Sequence, residues 1–456
     1  MKTLDIYKTL KYLSLFNEIN LDINKITIDT RKVEENDCYI GIKGEKNDGN
    51  KLFMEAFKKG ANLVILDNFE MNDEINEYIH KNNKSILVVE NSVKALGELA
   101  RYKRSLFYSP VVAITGSAGK TSTKDMVYSI LKEKYKAHKT IGNQNNHIGL
   151  PLTILSLEKD NEVLVLEMGM NHLGEISYLT NIAKPDIAII TNVGTAHIGN
   201  LGSRENILKA KLEILEGLNP NGVLIINNDN DLLHSWYLDN KDKYKIITIG
   251  IYQDSDYMAN IIEKSEWSST FSCNNVIYKV PVGGEHFIYN ALAGVATGEE
   301  FNVSEEQIKD GILNFELSSN RMSLISINGY TIIDDSYNAN FDSMSYAIKY
   351  LGSLSGRSIA VLGTMKELGS YSEDLHRKIG RVIKNEKIDI LVTVGDEATY
   401  INDGAVEAGF SKENCYHFKD NKAAIEFINT IKKQEDNILI KASNSMNFKE
   451  IVEAIK

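Results

Sequence analysis

The segment VVAITGSAGKTSTKDM, Val111 to Met126, restricts the fold more than any other part of this sequence. The apolar run VVAIT after Pro110 reads as a buried strand, a glycine turn follows, and a helical pattern comes next. A strand, a glycine turn and a helix in that order build a phosphate-binding loop when Gly-Lys-Ser/Thr closes the turn. The full pattern has four residues between its first glycine and the Gly-Lys pair. Here only Ser117 and Ala118 separate Gly116 from Gly119, and Lys120, Thr121 and Ser122 follow. Backbone N–H groups from Gly116 to Thr121 would point inward on an anion, and the helix starting near Ser122 adds its positive dipole end. Lys120 would reach the β- and γ-phosphates, and the Thr121 hydroxyl would sit on Mg2+. A Gly-Ser turn that only caps a helix has the same appearance, so the reading needs support from elsewhere in the chain.

Two further strand ends supply it. EVLVLEMGMN places Glu167 just past an apolar strand, at the carboxyl edge where open α/β sheets bind ligands. Mg2+ prefers carboxylate and hydroxyl oxygens, which makes Glu167 a candidate ligand beside Thr121. His197 follows the strand in IITNVGTAHIG. Taken singly, a strand-end Glu or His is commonly a solvated or hydrogen-bonded surface residue; three candidates at successive strand ends are more telling.

Periodicity divides the chain into three parts, in keeping with 456 residues, a length for roughly two to four domains. Residues 1–107 alternate short apolar runs (CYIGI, NLVIL, SILVV) with helical patterns and form a small α/β domain. Residues 108–317 carry EVLVLEMG, DIAIITNV, GVLIINND and KIITIG, the continuous apolar strands of a mostly parallel sheet covered on both faces. Residues 318–456 alternate SIAVLG, DILVTVG and NILIKAS with helices, a Rossmann-like α/β domain. The net charge of −11 argues against nucleic-acid binding, which draws on an excess of Lys and Arg. Cys38, Cys273 and Cys415 make no CxxC pair and fit a reducing cytosol. No run reaches the ~18 apolar residues of a membrane span, and the N-terminus has no uninterrupted apolar core of a signal peptide. A cytoplasmic monomer is expected.

With these motifs in place, the chain resembles the Mur ligases, the ATP-dependent amide-forming enzymes of peptidoglycan precursor synthesis. TGSAGKTSTK is similar to that family's own short phosphate loop, so the contraction is a variant of the site. The resemblance continues through EMGMNHLGEI, TNVGTAHIGNLGS, KAKLEI, HFIYNALAGVA, DDSYNAN and VLGTMKELG in order. GNQNNHIGLPLTIL, Gly142 to Leu155, is similar to the Asn-rich segment of the branch that uses UDP-N-acetylmuramoyl-tripeptide and D-alanyl-D-alanine. DTRKVEENDCYIGIKGEKNDGNKLFMEAFKKGA resembles a uridine-nucleotide module. The nearest rival readings are another amide ligase of the superfamily, including the folylpolyglutamate type, and, in a different class, a regulatory P-loop NTPase.

The resemblance implies roles residue by residue. Thr115, Gly116, Ser117, Ala118, Gly119, Lys120, Thr121 and Ser122 would hold ATP, with Asn290 on the adenine and His286 one helical turn before it. Arg321 would bring charge to the γ-phosphate, and Asp335 and Asn340 would reach ATP from the third domain. Mg2+ would rest on Thr121 and Glu167, and a second metal on His197, positioned by Lys211 as a carbamate. Lys120, Lys211, His197 and Arg321 form the expected catalytic set. Asp29, Thr30, Arg31, Lys43, Gly44, Asp48 and Gly49, with Asn143, Asn145 and Asn146, would hold the uridine-diphosphate substrate. The chain departs from the family pattern at Phe341 (usually Pro), Thr364 (usually Asp) and Asn50 (usually His), which touches loop stiffness and substrate fit.

Overall fold

The apolar runs become the central strands of three α/β domains in the computed structural model, which describes residues 1–318 and 320–456. Ser319, one residue past the expected start of the third domain, lies outside the described residues. The central sheet has seven strands, in the order Tyr257–Met258, Lys245–Gly250, Val223–Asn227, Ile187–Ile190, Val111–Thr115, Val163–Glu167 and Ala137–Lys139. Every pairing in it is parallel. Helices cover both faces, so Val111 to Ile114 are wholly buried and cannot alternate with polar residues. Burying one Val or Ile side chain contributes about 1.5–3 kcal/mol, which anchors the strands that carry the loops of the site.

Strand order fixes where those loops meet. From Val111–Thr115 the chain crosses to one edge of the sheet, whereas the strand beside it, Ile187–Ile190, continues toward the other. Connections that part in this way open a crevice at the carboxyl ends of the two strands. Into it run residues 116–119 and 191–196.

The first domain holds a five-stranded sheet, parallel except for Tyr12–Phe16, which pairs antiparallel with Ser85–Val89. The third holds six strands, the antiparallel strand Ser323–Ile327 leading into five parallel ones. A small antiparallel sheet, Asn260–Lys264, Ser269–Cys273 and Val276–Val280, stands outside the sequence expectation. Its strands are short and largely polar, and only one face is covered. Among the described residues no helix is long and apolar enough to cross a membrane.

Candidate active site

Gly119 opens the helix Lys120–Leu131 with φ 80, a left-handed conformation that suits glycine. No side chain caps this helix, which leaves its first N–H groups for an anion. Gly116 is required by contact: a Cβ there would lie 1.8 Å from Thr191 Oγ1. The loop is held open from behind by Asn192, whose Oδ1 accepts from the N–H groups of Ser117 at 3.0 Å and Ala118 at 2.8 Å. Lys120 Nζ donates to its own loop at Gly116 O, 2.7 Å away. Burial lowers its pKa, Glu167 opposes the shift, and Arg321 adds to it. Thr115 is set back in its strand, with its buried hydroxyl unpartnered.

Glu167 is 2% exposed. Its Oε2 accepts from Thr121 Oγ1 at 2.7 Å and its Oε1 from Asn145 Nδ2 at 2.7 Å. Both partners are neutral, and among the described residues no cation forms an ion pair with this carboxylate. A buried charge of this kind calls for a compensating cation, and a hydroxyl beside a carboxylate is the oxygen donor set that Mg2+ takes. The residues therefore fit the metal. No group of three or more His, Cys, Asp or Glu side chains is placed to hold an ion among the described residues. The expected set contains only two of those types, Glu167 and His197.

His197 heads the short helix Ile198–Leu201 with φ 63 and lines the same cleft. Its Nδ1 lies against the Glu367 carboxylate of the third domain. Lys211, on the helix Arg204–Leu212, is 1% exposed. Burial holds its pKa well below the usual lysine range, the Lys120 charge pushes the same way, and Asp342 opposes both. A neutral amine is the form that can add CO2.

The third domain closes the other wall. Arg321 lies over the Tyr337 ring at 4.0 Å. Asp335 pairs with Lys441 Nζ at 2.5 Å and accepts from Met322 N–H at 3.2 Å. Asn340 caps the helix Phe341–Gly352 and donates from Nδ2 to Ser117 O at 3.1 Å, so the third domain touches the phosphate loop itself. Asn290 accepts from Thr123 Oγ1 at 2.9 Å, and its buried Nδ2 has no partner. Ser117 to Ser122, Glu167, His197, Asn290, Arg321, Asp335 and Asn340 line a cavity of about 540 Å3 with His286, Tyr289 and Tyr346, whereas Thr115, Gly116 and Lys211 are not among its lining.

The expected uridine residues lie apart from this cavity, except Asn145 and Asn146. Asn145 has its amide on Glu167, and Asn146 Oδ1 accepts from the N–H groups of Ile148 and Gly149, while Asn143 is exposed. Asp29 caps the turn Thr30–Lys32 and grips Arg31 through two bonds of 2.9 Å, and that guanidinium holds its carboxyl down at about 2. Lys43 bridges to Asp48 around a turn containing Gly44, and Gly49 is buried behind it.

The departures have local explanations. Asn50 is 3% exposed and joins Asp48 to Asp67, donating to Oδ1 of each and accepting from Asp67 N–H, which makes it a brace of the loop. Phe341 occupies the first helical position, where proline is favoured because its N–H would be free anyway. Phenylalanine keeps the helix start and packs on the core. Thr364 is buried, where a lone carboxylate would need a partner. Sequence reasoning missed Asn192, Asp342, Glu367 and Lys441. Asn192 and Lys441 carried a signal, as polar residues at the ends of apolar strands; the other two carried none.

The first domain matches the Mur ligase family catalytic domain at residues 22–104, the second the Mur ligase middle domain at 114–298, and the third the Mur ligase glutamate ligase domain at 320–444. The UDP-N-acetylmuramoyl-tripeptide–D-alanyl-D-alanine ligase of Bacillus subtilis is 37% identical over 94% of this chain and 92% of its own. A crystal structure of MurF from Acinetobacter baumannii superposes with a TM-score of 0.86 at 31% identity, covering 95% of this chain and 93% of that one. MurF ligase from Thermotoga maritima in complex with ADP gives 0.82 at 28% identity, over 95% and 97%. Matched in all three domains and along nearly its whole length, this chain belongs to the Mur ligase family.

Proposed function

We propose that this chain joins D-alanyl-D-alanine to UDP-N-acetylmuramoyl-tripeptide at the expense of ATP, in the cytoplasmic synthesis of peptidoglycan precursors and so in cell-wall growth and division. The observation that carries the reading is one cleft where the phosphate loop, the Thr121–Glu167 pair and third-domain Arg321, Asp335 and Asn340 face one another. A phosphate loop alone would serve any NTPase. A second domain bringing a guanidinium to the γ-phosphate side suits transfer between two bound substrates.

A carboxylate is a poor acyl donor, so the tripeptide's terminal carboxylate oxygen first attacks the γ-phosphorus and ADP leaves. The dipeptide amine then attacks the acyl carbon, loses a proton, and phosphate departs with that carboxylate oxygen. Lys120 and Arg321 neutralise charge on the transferring oxygens. Asn290 offers its free Nδ2–H to an acceptor on the adenine edge. Mg2+ held by Thr121 and Glu167 would shield the phosphates, and His197 with Lys211 as a carbamate would hold a second ion. The first domain is assigned to the uridine nucleotide, the central one to ATP and the third to the amine. Action as a monomer is part of this proposal.

Phosphate release with the muramoyl tripeptide across a panel of D-dipeptides tests this. Turnover should depend on both and be fastest with D-alanyl-D-alanine. ATP turnover indifferent to peptide would leave a regulatory NTPase instead.

A further inference from the structure

The His197 ring looks two ways. It lines the phosphate cleft, while Nδ1 is shut away from solvent against the Glu367 carboxylate. The two residues are on different domains, 170 positions apart in the chain, and their backbones are tied as well. Gly199 N–H donates to Glu367 O at 2.9 Å, and Tyr371 OH donates to Gly202 O at 2.7 Å. His197 and Glu367 both hold left-handed backbone, φ 63 and 65, a conformation uncommon outside glycine and less usual for glutamate than for histidine. Backbone outliers on both sides of one contact invite a functional reading. The side chains are close but angled short of a linear hydrogen bond, so the nearness of the carboxylate is what matters here.

An imidazole binds a metal through the nitrogen that carries the lone pair, and the partner of the other nitrogen decides which one that is. Histidine ligands usually give their second N–H to a carboxylate or carbonyl, which fixes tautomer and ring orientation. A carboxylate beside Nδ1 places the proton there and leaves Nε2 free to coordinate on the cleft side.

We propose that Glu367 is a positioning residue that sets His197 as the Nδ1–H tautomer, and that it does so only when the third domain is docked. This rests on the reading of His197 as a metal ligand. The central domain's second metal site is then complete only while the amine-binding domain is seated, which ties readiness for phosphoryl transfer to the presence of the domain that delivers the nucleophile.

Mn2+ binding to the full chain, with a non-hydrolysable ATP analogue and read by electron paramagnetic resonance, tests the proposal alongside 15N NMR of the His197 ring. Glu367→Ala should weaken the second Mn2+ site about 10- to 100-fold and give a mixture of tautomers. Glu367→Gln, which keeps an acceptor oxygen, should recover most of both. Tyr371→Phe loses one docking bond but keeps the carboxylate, and should weaken the site and mix the tautomers in proportion to the undocking it causes. Equal Mn2+ affinity and tautomer in wild type and Glu367→Ala would overturn the proposal, as would a Tyr371→Phe protein that is measurably undocked yet keeps both unchanged. A His197→Ala protein that binds as many Mn2+ ions as wild type would overturn the metal role itself, which distinguishes the two failures.

Discussion

A single methyl group at Gly194 should hold the third domain off the phosphate loop. Gly194 lies in residues 191–196, and its N–H donates to Ser117 Oγ at 2.9 Å. A Cβ at this position would stand 1.9 Å from Asp342 Oδ2 and 2.4 Å from its Cγ, far inside contact distance. Asp342 belongs to the helix Phe341–Gly352 of the third domain, and its Oδ2 accepts from Thr195 N–H at 2.9 Å and Thr195 Oγ1 at 3.3 Å. Gly194 does not hold a left-handed φ, so alanine strains nothing in its own loop. The clash can be relieved only if the short Asp342 side chain swings away, losing both bonds, or if its helix retreats. A hydrogen bond to a charged group contributes about 1.5–3 kcal/mol, and every 1.4 kcal/mol is tenfold, so losing even one of the two should weaken docking about 10- to 100-fold. In Gly194→Ala, kcat for phosphate release with all substrates present should fall by a similar factor and the KM for ATP should rise, because Asn340 moves with the helix, while the Tm is little changed. Energy transfer between dyes on the second and third domains should report a larger separation. In a double-mutant cycle with Asp342→Gly the effects should be strongly non-additive, because both changes break the same contact. Wild-type kcat together with unaltered separation in Gly194→Ala would refute the reasoning.

Lys120→Ala should abolish amide formation in a folded protein, because Nζ bonds only to the loop itself; near-normal turnover in that variant would remove the loop from the mechanism. Lys211→Ala should be nearly inactive and partly rescued by added short carboxylic acids that occupy the place of a carbamate, whereas an active variant would exclude that role. Burial, with Lys441 nearby, pushes His286 from 6.5 down to about 4. Between those values the unfolded chain takes up a proton that the folded chain refuses. Stability is thus whole above pH 6.5 and declines as pH falls toward 4, by at most about 3 kcal/mol. His286→Phe should flatten that part of the pH dependence of urea unfolding, and an unchanged slope would refute the assignment.

The strands and the phosphate loop were legible because their information is local: a buried parallel strand must be apolar throughout, and a glycine turn entering an uncapped helix is written in consecutive residues. The placement of Glu167 was legible for the same reason, since a strand end in an open α/β sheet has a known relation to its ligand edge. Asp342 against Thr195, and Glu367 against His197, were not. Each joins two domains over a long stretch of chain, and although His197 stood out, its third-domain partner Glu367 and Asp342 did not, since a helix-start Asp or a loop Glu reads as solvated. The bracing role of Asn50 was likewise not legible, because the side chain is buried between Asp48 and Asp67, and Asp67 lies 17 residues away in the chain. The three-stranded sheet from Asn260 to Val280 escaped notice because strands covered on one face carry few apolar residues.

The acyl phosphate is the centre of this account, and isotope transfer tests it most directly. UDP-N-acetylmuramoyl-tripeptide labelled with 18O in its terminal carboxylate is incubated with the protein, ATP, Mg2+ and D-alanyl-D-alanine, and the released phosphate is analysed by mass spectrometry. One labelled oxygen should appear in each phosphate, one phosphate should form for each amide, and release should be slow until the tripeptide is present. Stoichiometric amide formation with no label in the phosphate would contradict the acyl-phosphate route.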